Sequence, residues 1–305
     1  MKNKKIPIIL NCDTGIDDAV AIMLAVKSGK IDIKLIVTDV GNVPPVQAAI
    51  NTNNILELID APEIPVVAGS GKCFAKERPR PRVHGGNGLG EFEFEKNDRK
   101  LDETDAIEKM YQVLSESDEK VTIISLSPIP NLARLLKKYP ECAKKIERLV
   151  LMAGTTETVK AGDMPYPEFN VACDPEASEF VFASGIPIEI VPMEMGHTAY
   201  LDWQDVFNTK NENYTGYVLE IIFRSYKDRH VKNGIATHDG CAVSYVTNPE
   251  IFEVKPVFAS VEYFDSIKSG VLVMDFNKEP NVKACTKVNI KKFKNLYYKA
   301  LRKCK

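Results

Sequence analysis

Apolar residues in this chain gather into short continuous runs at 6–12 ("IPIILNC"), 33–40 ("IKLIVTDV"), 64–70 ("IPVVAGS"), 121–127 ("VTIISLS"), 148–154 ("RLVLMAG") and 186–193 ("IPIEIVPM"). Runs that are unbroken rather than alternating are expected of parallel strands covered on both faces. Between them the apolar positions switch to helical spacing at 16–29 ("IDDAVAIMLAVKSG"), 46–60 and 129–139, the first of these stopping at Gly29. Strands alternating with helices imply right-handed βαβ crossovers. The pattern predicts an α/β fold, a doubly wound and mostly parallel sheet flanked by helices. Ligands of such sheets sit beyond the carboxyl ends of the strands, and Asp13, Asn42 and Ser127 follow the first, second and fourth runs.

Two stretches break the rhythm. Residues 71–103 carry many glycines, prolines and charges without apolar periodicity, as expected of a long functional or disordered loop; its "RPRPR" (78–82) reads as solvated surface. At the other end, Phe293, Leu296, Tyr297, Ala300 and Leu301 recur at helical spacing, which predicts a terminal helix docked on the core with its lysines in water. No linker or repeat divides the chain, so residues 1–305 read as one domain.

Composition narrows the function. With 40 basic against 42 acidic side chains, a net charge of −2, the chain has no global field to recruit nucleic acid or an anionic membrane. The apolar stretch before Asp13 is too short for a signal peptide or a membrane span, so a cytoplasmic protein is expected. The seven cysteines are scattered and never spaced Cys-x-x-Cys, so reduced, mostly buried thiols are expected.

The chemistry gathers in three clusters. In "NCDTGIDDAV" (11–20), Asp13 falls in a turn at Gly15, and Asp17 and Asp18 in the first turn of a helix. One acid there favours the helix dipole. Three converging on a point repel one another unless a cation or a polyhydroxyl ligand offsets the cost, and an all-oxygen set suits Ca²⁺ or Mg²⁺, a flexible carboxylate set favouring Ca²⁺. The triplet Asp13-Thr14-Gly15 also occurs in aspartic proteases, but those need two such loops in an all-β frame or a short dimerising chain. In "YPEFNVACDPEA" (166–177), Glu168 and Asn170 flank Phe169, and an extended segment would point both polar chains the same way, toward vicinal hydroxyls; Asp174 and Pro175 read as a helix start. In "IATHDGCAV" (235–243), His238 and Asp239 precede a helical pattern, where Asp239 also reads as a simple N-cap.

Taken in order, these segments resemble the nucleoside hydrolases, the inosine-uridine-preferring nucleoside N-ribohydrolase family. Its opening signature Asp-x-Asp-Pro-Gly-x-Asp-Asp is similar to Asn11-Cys12-Asp13-Thr14-Gly15-Ile16-Asp17-Asp18, and "GNVPPVQAAINTNNIL" (41–56), "VHGGNGLG" (83–90), "SPIPNLA" (127–133), "LMAG" (151–154), "EFNVACDPEA" (168–177) and "HDGCAV" (238–243) match further blocks. The resemblance implies Ca²⁺-dependent hydrolysis of the N-glycosidic bond of ribonucleosides to ribose and free base. It implies Asp13 as general base and ligand, with Asp18, Asp239 and the Leu126 carbonyl as further ligands. Asp17, Asn42, Glu168 and Asn170 would grip the ribose, with Phe169 counted among the substrate-binding residues. His84 and Tyr226 would contact the base, and His238 would assist its departure. The partners implied are a small-molecule nucleoside and further copies of the chain in a homodimer or homotetramer. Departures are Asn11 for Asp, Thr14 for Pro, Ser127 and Pro130 for Gly and Thr, Gly240 for Pro, and Gly162 or Asp163 where relatives carry an asparagine near the ribose 5′-hydroxyl. They leave the metal site intact and alter the sugar and base pockets, so turnover of a 5′-substituted nucleoside, or binding without turnover, are the alternatives.

Overall fold

Neighbouring residues of a strand point to opposite faces, so a strand at the middle of a covered sheet needs apolar residues at nearly every position. The run at 6–12 meets this condition: in β1 (Ile6–Cys12), Ile8, Leu10 and Cys12 enter one core and Ile9 the other. The computed structural model describes residues 4–75, 83–156, 158–159, 164–165, 167–226, 232–264 and 269–305. The "RPRPR" segment, Gly162 and Asp163 lie outside the described residues.

After β1 come α1 (Ile16–Ser28), β2 (Ile31–Thr38), α2 (Pro45–Leu58), β3 (Val66–Ala68), α3 (Ala106–Glu116), β4 (Val121–Ser125), α4 (Pro130–Lys138) and β5 (Ile146–Met152). A small pair, β6 (Thr158–Val159) and β7 (Met164–Pro165), leads to α5 (Phe169–Cys173), α6 (Pro175–Phe182), β8 (Ile188–Val191) and α7 (Met193–Thr198). Then follow β9 (Leu201–Asp202), α8 (Trp203–Thr209), α9 (Tyr214–Arg224), β10 (Gly234–Ile235) and α10 (His238–Thr247). The chain ends with β11 (Phe252–Phe264), β12 (Ser269–Asp275), β13 (Val282–Val288) and α11 (Ile290–Leu301).

Nine strands form one sheet in the order β12-β11-β13-β8-β5-β4-β1-β2-β3. From β3 to β13 all neighbours are parallel, as expected; β11 alone runs against its neighbours. This antiparallel edge was not among the expectations, because 252–288 mixes polar and apolar positions without a long run. From β1 the chain moves out to β2 and β3 and returns to β4 on the other side of β1, which makes the gap beyond β1 and β4 a topological switch point.

Helix α1 is buried from Ile16 to Ala25, and an all-round apolar helix has to be covered on every side. It packs against α10, α11 and α2, and it stops at Gly29, whose φ of 72° is the left-handed cap that glycine adopts freely. The predicted terminal helix is α11: Phe293, Tyr297, Ala300 and Leu301 are buried, and the Tyr297 hydroxyl shares a 3.0 Å hydrogen bond with Thr209. Six of the seven cysteines are buried, and among the described residues no helix is long and apolar enough to cross a membrane.

Because Phe293 is fully buried, Phe293→Ala should lower the unfolding free energy by about 3–5 kcal/mol, read from urea denaturation followed by circular dichroism.

Candidate active site

The turn between β1 and α1 is held by backbone bonds to its own acids. Asp18 accepts the Gly15 N–H at 2.8 Å, the half of a capping box that a glycine N-cap permits. Asp13 accepts the Asn42 main-chain N–H at 2.7 Å, and the Asn42 side-chain amide donates to Asp13 at 3.2 Å and to Asp18 at 3.4 Å. Asn42 therefore pins two carboxylates side by side. Gly41 lets this happen: a Cβ there would run into the Asp13 carboxylate.

Across the switch point α10 brings Asp239 against the same turn. Carboxylate oxygens of Asp17, Asp18 and Asp239 all lie within 4.8 Å of one another, all three side chains buried. Asp239 lies inside the first turn of α10, whose N-cap is Thr237, so the simple N-cap reading of Asp239 does not hold. Asp17 is thus part of the same carboxylate group as Asp18 and Asp239.

Glu168 and Asn170 are not on an extended segment as the alternation suggested. Glu168 caps α5, its carboxylate accepting N–H groups of Asn170, Val171 and Gly154 at 2.8, 3.3 and 2.9 Å, and the cap turns the chain into a helix. Asn170 donates its amide to the carbonyls of Leu126 (3.1 Å) and Met152 (2.9 Å), which brings Leu126, just past β4, to the same place. Phe169 packs beside Val40, Cys73 and Cys173.

Two histidines flank the acids. The Ile16 N–H donates to His84 Nδ1 at 3.0 Å, leaving Nε2 protonated and 3.9 Å from Asp17; the His84 ring lies 5.1 Å from that of Tyr226. His238 faces the Met193 carbonyl through Nδ1 at 3.0 Å, so Nδ1 carries a proton. Its ring meets that of His197 edge-on at 4.9 Å.

Burial, the largest cause, pushes Asp13, Asp18 and Asp239 well above the usual carboxylate range, and the neighbouring acids push further. Asp18 is pushed up to about 7. Asp17 Oδ1 and Asp18 Oδ1 are buried without a hydrogen-bond partner. Unpartnered buried carboxylate oxygens in an all-oxygen cluster fit a hard divalent cation.

A family model described as inosine-uridine preferring nucleoside hydrolase matches residues 8–295. The chain belongs to the inosine-uridine preferring nucleoside hydrolase family. It is accordingly a hydrolase of ribonucleoside N-glycosidic bonds. The non-specific ribonucleoside hydrolase RihC of Escherichia fergusonii is 34% identical over 305 residues, 98% of this chain and 99% of that protein. A plant nucleoside hydrolase structure is 26% identical, with a TM-score of 0.86 over 98% of this hydrolase and 99% of that chain. The purine-preferring ribonucleoside hydrolase from Gardnerella vaginalis, at 24% identity, shares the fold with a TM-score of 0.87 over 97% and 98% of the two chains.

Sequence reading of the hydrolase missed the buried Asp39 and Asn131, which lie behind Asn11, and His197 beside His238. Asp39 had a signal, since it directly follows β2 as Asp13 follows β1. His197 had none, because α7 carries no motif and meets α10 only through the fold.

The buried acids set a pH dependence. Each holds its proton more tightly folded than unfolded, where its pKa is about 4. Without a cation, this contribution to stability is fully present below about pH 4 and is lost as pH rises, for Asp18 through about 7. Thermal unfolding of the hydrolase in a chelator should give a Tm that falls as pH rises toward 7, with a shallower slope in Asp18→Asn.

Proposed function

We propose that this hydrolase cleaves ribonucleosides to ribose and free base with Ca²⁺ as its cofactor. The observation that carries the reading is the meeting of Asp17, Asp18 and Asp239 within 4.8 Å, beside Asp13. Asp13, Asp18, Asp239 and the Leu126 carbonyl would hold the cation, with Asp17 at its edge. When bound, it supplies Lewis acidity that lowers the pKa of a water.

Asp13 takes the proton from the attacking water. Its raised affinity for a proton, caused by burial and by Asp18, suits a base. Asp17, Glu168, Asn170 and the Asn42 side-chain oxygen orient the ribose hydroxyls, which fixes C1′ for attack. The amide bonds of Asn170 to Leu126 and Met152 use only its N–H groups, leaving its oxygen for a hydroxyl donor. Buried carboxylates also stabilise positive charge developing on the sugar ring. The departing base is a poor anion, and His238, tethered through Nδ1, donates from Nε2 when it is the imidazolium. His84 and Tyr226, whose rings lie 5.1 Å apart, would contact the base, and the family resemblance adds Phe169 to the substrate-binding residues.

Relatives described as non-specific ribonucleoside hydrolases support a broad base preference. Seven scattered cysteines, never spaced Cys-x-x-Cys and six of them buried, support a reducing compartment, the cytoplasm. A homodimer or homotetramer follows from the family resemblance, and the exposed Trp203, Phe207, Tyr214 and Tyr217 of α8 and α9 offer apolar surface for it.

A reducing-sugar assay with inosine and uridine tests the reading. Release of ribose should fall about 10²- to 10⁴-fold in Asp13→Ala, and it should stop after thorough Ca²⁺ removal. Ribose release surviving either treatment contradicts the assignment. For His238→Ala, loss should be larger with inosine than with a nitrophenyl riboside, whose leaving group needs no proton; equal losses refute the acid role.

A further inference from the structure

Behind the acids lies a polar group that the reaction does not touch. Asn11, Asp39 and Asn131 are each fully buried, at the ends of β1 and β2 and the start of α4. Asp39 accepts the Asn11 amide N–H at 3.2 Å on one carboxylate oxygen and the Asn131 main-chain N–H at 3.3 Å on the other. Its own N–H donates to the Cys12 carbonyl at 2.9 Å. Both oxygens of Asp39 receive N–H donors, one of them from the positive end of α4, while burial pushes its carboxyl well above the usual carboxylate range. Burying such a group costs free energy unless the bonds are made, so the arrangement constrains what surrounds it.

What surrounds it is the site. Cys12, whose carbonyl accepts the main-chain N–H of Asp39, is the residue before Asp13. Asn11, gripped through its side chain, uses its main-chain carbonyl to accept the Leu126 N–H at 2.9 Å. The Asp39 carboxylate thus fastens the Asn11 side chain, at the end of β1, to the first turn of α4, and the main chain of the same Asn11 receives the N–H of Leu126, just past β4. Asn131 extends the link, accepting the Ser70 N–H at 3.2 Å beyond β3. Asn11, at the end of β1, is thus held by an acid that lies just past the adjacent strand β2.

We propose that Asp39 is a positioning residue of the catalytic centre, acting with Asn11 as a buried carboxylate–amide clasp that sets Asp13 and the Leu126 carbonyl in register. The proposal rests on the cation-site reading above. It differs from a packing role in what it moves: cation affinity and kcat change while KM, set by sugar and base contacts, does not.

The test compares the hydrolase with Asp39→Ala, Asn11→Ala, the double variant and Asp39→Asn, using calorimetry with Ca²⁺, kcat and KM for inosine, and urea unfolding. Each alanine variant should weaken Ca²⁺ binding about 10- to 100-fold and lower kcat at nearly constant KM. The double variant should bind no worse than the weaker single one, because the two residues act as one unit. Asp39→Asn should recover much of the affinity, since the Asn11 amide can turn and accept through its otherwise unpartnered Oδ1. Wild-type affinity in Asp39→Ala, additive losses in the double variant, or lost stability with affinity and kcat unchanged overturns the proposal. Should Asp39→Ala not fold, Asn11→Ala decides by the same readouts. A wild-type protein that binds no Ca²⁺ would refute the cation reading instead, and kcat across the same variants would still judge the clasp.

Discussion

Four aspartates, Asp13, Asp17, Asp18 and Asp239, are brought out of water at one end of the sheet. Like charges in a buried place repel, and the fold has to supply the free energy that holds them there. It does so with main-chain donors: the N–H groups of Gly15 and Asn42 each point at a carboxylate, and the Asn42 side chain spans two of them. The apolar body of α1, buried over its first ten residues, anchors the turn that makes this possible. The site is therefore strained by charge and rigid by packing, which is the combination expected where a charged ligand completes the structure.

The neighbouring sugar side follows a different rule. Glu168 is satisfied by three N–H groups of its own helix and the β5 loop, and Asn170 by two main-chain carbonyls. These side chains are fixed by local hydrogen bonds rather than by mutual repulsion. The two halves of the centre meet at Leu126, whose carbonyl receives the Asn170 amide and whose N–H is held by Asn11.

Much of this was legible in the sequence where the signal is local. The unbroken runs located the parallel strands β1 to β5 and β8 but not β13, helical spacing located α1, α2, α4 and α11, and the acids of 13–18 stood out because three on one turn have no ordinary structural use. The antiparallel edge was not legible, since β11 and β13 mix polar and apolar positions and β12 carries only the short run 271–274. Glu168 and Asn170 were found by residue type, while their conformation was misjudged: Glu168 supplies its own cap and bends the segment into α5. Asp39 was overlooked because a single acid after a strand reads as a turn residue until Asn11 and Asn131 are brought against it.

Asp18 and Asp239 come from opposite halves of the chain and meet only when α10 has docked on α1. A partly folded chain, however much helix and sheet it has formed, holds only fragments of the acidic cluster. A ligand that needs both halves can grip nothing but the finished molecule, and so shifts the folding balance toward it by mass action. Contacts so distant in sequence also form late, which makes assembly of this centre a record that the whole sheet has closed correctly.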